Sequence, residues 1–137
     1  MKETSIYSTQ TTKSMQEFLR DLRSAAEEKG FVFHNEEKMN MAQAFRNKGI
    51  QVPEDFDLHM IQICKPEKAS QSLSSNPERS PLMPKFINAF SKGGTVQIRM
   101  LIYGQDLVGQ LVDDPDFPES LTASYQAIMD IIEKARA

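Results

Sequence analysis

At 137 residues the chain has the length of one domain, and a domain near that size buries about two-thirds of the surface its unfolded chain exposes, enough for a core without staples. A formal charge of -3 and a pI near 5.4 argue against a protein that tracks nucleic-acid backbone, which calls for a basic face. The single cysteine excludes an internal disulfide, no stretch approaches the ~20 apolar residues of a membrane span, and the opening MKETSIYSTQTTK lacks the apolar centre of a signal peptide. The expectation is one cytoplasmic domain over residues 1–137, with neither membrane nor nucleic acid as partner.

In chain order, residues 4–10 alternate loosely about Ile6 and predict a short strand. SMQEFLRDLRSAAEEKG predicts a helix: Ser14 and Glu17 have capping-box spacing, Phe18, Leu19, Leu22, Ala25 and Ala26 follow the three-to-four spacing of one face, and Gly30 suits the stop. FVFHNEEK alternates and predicts a strand. NMAQAFRNKG predicts a second helix burying Met41, Ala44 and Phe45, with Ala42 beside them. FDLHMIQIC, β-branched and apolar, predicts a central strand covered on both faces at its end. Pro66 suits the first turn of a helix, with Ala69 and Leu73 inward. NPERSPLMP holds three prolines in nine residues and predicts a rigid loop without regular structure. KFINAF, SKGG and TVQIRMLIY predict a β-hairpin turning on Gly93 and Gly94. Residues 104–117 predict a connecting lobe with an acidic edge and at most one helical turn. The last helix starts near Pro118, with Asp116 and Glu119 at its cap and Leu121, Tyr125, Ile128, Ile131, Ile132 and Ala135 on its apolar stripe. Strands alternating with helices, then a hairpin, predict a two-layer α+β sandwich.

Few residues suggest chemistry. Cys64 ends the central strand just ahead of the Pro66 helix, where a helix amino end and Lys65 favour a thiolate. Free cysteine is also among the most buried residue types, and a small apolar residue closing the strand is the expectation. His59 lies five residues earlier and so on the opposite face, which argues against a Cys–His dyad. His34 and His59 lack metal-site spacing, so no metal is expected, and no cofactor motif is present. The eight methionines read as core filling, with Met60 and Met100 at buried strand positions. Asp113, Asp114 and Asp116 lack the calcium-loop pattern and read as a solvated turn with a helix cap.

Taken together, EEKGFVF, ICKPEKASQSLSSNPE and LMPKFINAF with its glycine hairpin resemble the family catalogued as domain of unknown function 302, from about Tyr7 to Arg136. The match lies in Pro66, Ala69, Leu73, Asn76 and Pro77. The resemblance implies a β-α-β(4)-α core similar to the TATA-box-binding-protein-like fold, with extra short helices, and a homodimer; it implies no activity. Relatives carry cysteine after the proline of a Leu-Pro-Cys step. Here that step reads Met83, Pro84, Lys85, so Cys64 lacks the second thiol of a redox pair. The expected role is a small dimeric binding or accessory domain rather than an enzyme. Its ligand groove would lie at the strand-to-helix joint, with Cys64, Lys65, Pro66, Asn76, Pro84 and Lys85 as contacts. Two alternatives stand beside it: a thiol-dependent or redox accessory enzyme using Cys64, and a structural homodimer or subunit of a larger complex.

Overall fold

The computed structural model describes all residues, 1–137. The elements are β1 (Ser5–Thr11), α1 (Met15–Glu28), β2 (Val32–Phe33), a 3-10 turn (Glu36–Lys38), α2 (Met41–Asn47), β3 (Leu58–Cys64), α3 (Pro66–Ser75), a second 3-10 helix (Pro77–Leu82), β4 (Lys85–Lys92), β5 (Thr95–Ile102), α4 (Gln105–Leu111) and α5 (Phe117–Arg136). The fold is mixed α+β. Five strands form one sheet in the order β1-β5-β4-β3-β2, antiparallel at every pairing. Without α2, α3 and α4, the chain order is β-α-β-β-β-β-α.

α1 begins as its sequence demands. Ser14 Oγ accepts from the Glu17 amide at 3.1 Å, and Glu17 Oε1 accepts from the Ser14 amide at 3.3 Å, so two otherwise free donors are satisfied reciprocally. α1 buries Phe18, Leu22, Ala25 and Ala26, and α5 buries its whole predicted stripe together with Phe117. Both helices pack on one sheet face, against Ile61 and Ile63 of β3, Ile87 and Ala89 of β4, and Val96, Ile98, Met100 and Ile102 of β5. The hairpin closes with Lys92 opposite Thr95. Gly93 and Gly94 have φ of 62° and 82°, the left-handed pair of a two-residue turn that matches sheet twist.

Six expectations need correction. The strand expected through residues 31–38 ends at Phe33 because the Asn35 side chain takes over the ladder. Its Nδ2 donates to the Met60 carbonyl at 2.9 Å, and its Oδ1 accepts from the Gln62 amide at 2.7 Å, a local alternative that competes with strand pairing. α2 buries only Ala42; it is a peripheral element, and Phe45 rests 6.2 Å from the Phe56 ring. β3 is covered on one face alone. His59, Ile61 and Ile63 are buried, while Leu58, Met60, Gln62 and Cys64 are half-exposed, so Met60 fills no core. The proline-rich loop forms a 3-10 helix. Pro77 sits where no amide donor is needed, and the short i to i+3 pitch accommodates Pro81. Residues 105–111 form a true helix, α4. Finally, α5 is capped by Asp114, not Asp116: Asp114 Oδ1 accepts from the Asp116 and Phe117 amides at 3.0 and 3.1 Å.

The second sheet face stays open. Ile6 and Leu101 are 63% and 46% exposed, and Leu58, Met60, Phe86 and Phe90 are half-exposed on the same face. No helix is long and apolar enough to cross a membrane.

Candidate functional site

β3 ends at Cys64, and Pro66 opens α3 with Lys65 at its cap. The missing proline amide hydrogen costs nothing there, so the chain turns sharply away from the sheet. α3 has the apolar inward residues expected of it, Ala69 and Leu73, yet buries neither. With Ser72 they line a cavity of about 280 Å³. The opposite wall is one stripe of α5: Phe117, Ser120, Leu121, Ser124 and Ile128, spaced three or four apart so that they share a helix face. Phe31 and His34 flank it, and Ser80, Met83, Pro84 and Lys85 line it on the return into β4.

The lining contains three lysines, one histidine and four serines but no aspartate or glutamate. The chain has 19 acids against 16 Lys and Arg, so an acid-free wall carrying three cations is a local reversal of the overall charge. A broader hollow of about 530 Å³ on the open sheet face is lined by Phe56, Leu58, Met60 and Phe90 with one acid, Asp57, and no cation. Convergent charge separates the first cavity from the second.

Lys85 is the least ordinary group in the wall. It stands opposite Ile63 in the β3–β4 ladder, so its stem shares the helix-covered side. Nζ donates to the Met83 carbonyl at 3.0 Å and lies 5.9 Å from the centre of the Tyr125 ring. No acid pairs with it. Loss of water around the ammonium pulls the Lys85 pKa down to about 8; negative charge at Cys64 opposes this and the charge of Lys68 adds to it. Lys68 donates to Ser124 Oγ at 2.9 Å. Burial, then the neighbouring charge of Lys65, moves its pKa down as well.

A buried ion pair fixes the wall. Arg79 Nε donates to Asp114 Oδ2 at 2.6 Å, with side-chain exposures of 10% and 7%. Asn76 Nδ2 donates to the same oxygen at 2.9 Å, and Arg79 Nη1 donates to Ser72 Oγ at 3.0 Å. The guanidinium lies 5.2 Å from the Phe117 ring centre. These contacts tie α3 and the Pro77–Leu82 turn to the start of α5. The Arg79 guanidinium, with help from the Asn76 amide, holds the Asp114 carboxyl well below the usual carboxylate range. The expected solvated turn is therefore a buried anchor at Asp114.

Of the residues expected at a groove, Cys64, Lys65, Pro84 and Lys85 line this cavity; Pro66 and Asn76 do not. Pro66 is exposed and starts α3. Asn76 caps the 3-10 helix, accepting from the Glu78 amide at 3.1 Å, and clamps Asp114. Cys64 is half-buried and is not the fully enclosed residue expected. The wall is more polar than the apolar groove anticipated. Lys68, Ser72, Ser120 and Ser124 were not foreseen. The α5 stripe was legible as core, and its two serines on the same face were the available signal.

His59 is buried on the core face, with Nε2 3.3 Å from Asp57 and Nδ1 lacking a partner. No group of three or more His, Cys, Asp or Glu side chains is placed to hold a metal.

Among curated proteins none matches the chain. A solved structure, that of the uncharacterized conserved protein DUF302 from Bacillus stearothermophilus, superposes with a TM-score of 0.79 over 96% of this chain and 98% of that one, at 19% sequence identity. At that identity the likeness shows the fold. The family model described as domain of unknown function DUF302 matches residues 7–135, and the chain belongs to that family.

Proposed function

We propose that the protein is a small binding domain whose cavity holds a small amphipathic anion, with the acidic head at Lys68 and Lys85 and the apolar part against Leu73, Leu121 and Ile128. The observation that carries this is the acid-free wall bearing three lysines beside apolar side chains. Apolar clefts with a few convergent polar groups and a perturbed titratable residue are the usual form of small-ligand sites, and about 280 Å³ lies just below their usual range, which suits a small ligand. Cys64 lines the same wall and serves as a half-buried contact. The protein is read as cytoplasmic, which rests on its single cysteine.

Calorimetric titration with 4-methylpentanoate, a branched carboxylate of matching size, tests the site. Binding that weakens with salt and falls about ten-fold on Lys68→Met is expected; affinity unchanged by Lys68→Met overturns the assignment.

A second reading concerns assembly. The open sheet face presents Ile6 and Leu101 exposed next to half-exposed Phe86, with Met60, Phe90 and an unpartnered Asn88 Oδ1 further along the same face, at and beyond the row of Arg99. We read this face as the seat of a second copy of the chain, since exposed large apolar side chains on an uncovered sheet face mark interaction sites. Light scattering should give a dimer for the native chain and a monomer for Leu101→Glu.

A further inference from the structure

We infer that the cavity captures small 2-oxo acids covalently, as an imine on the Lys85 amine, while Lys68 holds the carboxylate. This deepens the anion-site reading and rests on it. The geometry supplies each part. Lys85 is the one lysine of the wall that projects from the sheet, in register with buried Ile63. Its ammonium has a carbonyl and the Tyr125 ring as neighbours but no carboxylate to keep it charged. Lys68, anchored on Ser124, stands across the cavity as a fixed cation on α3. The apolar remainder of the wall suits a short branched chain.

The chemistry balances without an oxidant or reductant. The neutral amine lone pair attacks the ketone carbon, a C–N bond forms, and the carbonyl oxygen leaves as water with the two amine hydrogens. A desolvated lysine beside a second cation is a recognised way to obtain such a nucleophile at neutral pH. With its pKa near 8, about a tenth of Lys85 is neutral at pH 7. An ordinary lysine, with a value of about 10.4, is neutral about 0.04% of the time there. The groups facing the amine are Cys64 from β3, Lys68 from α3 and Tyr125 from α5, with Lys65 and His34 elsewhere on the wall.

The test uses the full chain with 4-methyl-2-oxopentanoate and sodium cyanoborohydride, which reduces the imine to a stable amine, followed by peptide mapping. Expected are one adduct, at Lys85, at least ten-fold above any other lysine, and a rate that rises with pH to a midpoint near 8. Lys85→Arg removes the adduct while keeping the positive charge, and Lys68→Met raises the half-saturating concentration about ten-fold. Labelling spread evenly over exposed lysines such as Lys92, or an unchanged yield in Lys85→Arg, overturns the inference. If 4-methylpentanoate binds but no adduct forms at Lys85, the imine falls and the anion site stands. If neither is seen, both fall.

Discussion

Replacing Lys85 with Met should stabilise the protein. The substitution conserves length and apolar stem but removes an ammonium that folding strips of water. Its pKa drops from 10.5 to about 8 on folding. At about 1.4 kcal/mol per pH unit, the charged form costs the native state about 3 kcal/mol, an upper figure because the contact with Tyr125 and the hydrogen bond to Met83 are lost in the variant. The sign follows from proton linkage. Between pH 8 and 10.5 the unfolded chain binds more protons at this position than the folded chain, so native stability rises with pH across that window. Below pH 8 the full cost applies, and above 10.5 it disappears. Urea unfolding from pH 6.5 to 10.5 should therefore show the variant ahead by about 1–3 kcal/mol at neutral pH, with the gap closing as pH rises. Working in a Cys64→Ala background in both proteins removes the neighbouring thiol, whose negative charge would oppose the shift at Lys85. A variant less stable than the native chain at pH 7, or a gap independent of pH, would refute the account of Lys85 as a desolvated cation without a counter-ion.

Two further outcomes follow from other parts of the structure. Asp114 is held in its charged form by Arg79 and Asn76, so its contribution is fully present above the unfolded value of about 3.9 and is lost as pH falls through the lower folded value; the acid limb of a urea-midpoint series from pH 5 to 2 should flatten in Asp114→Asn, and an identical limb would remove the clamp from the argument. Ile98 is fully buried in the middle of β5, an interior strand, and Ile98→Ala should cost about 2–5 kcal/mol by denaturant unfolding.

Where periodicity was long, the sequence was a sound guide. The α5 stripe and the α1 capping box are carried by local spacing and a single buried face, and both formed as read. The hairpin was legible for the same reason, since two consecutive glycines between strands leave few other turns. Failures came where a side chain replaced backbone pairing or where burial depended on distant elements. Asn35 ended β2 by offering β3 its amide group, and no spacing rule announces that. Met60 and Phe45 looked inward because apolar residues ordinarily are, yet both helices of the core stack on the other side. The site shows the same division. Cys64 and Lys85 were legible as chain landmarks flanking the excursion. Lys68 and Ser124 were not, because they meet only when α3 folds against α5, 56 residues apart in sequence.

The cross-strand pair of Ile63 and Lys85 has a consequence for how such a domain diversifies. Everything between Cys64 and Lys85 leaves the sheet and comes back to the neighbouring strand, so the excursion closes on itself. Its ends lie one ladder spacing apart, about 5 Å, whatever its length, and doubling a loop adds only about 0.6 kcal/mol of closure entropy. The excursion is thus a cassette: it can be shortened, lengthened or exchanged while the register of β3 against β4 stays intact. Its footholds on the rest of the molecule lie on α5 and the turn before it, met in this chain by Arg79 and Asn76 on Asp114, by Lys68 on Ser124 and by buried Leu82. Specificity can drift in such a segment while the scaffold beneath it is left unaltered.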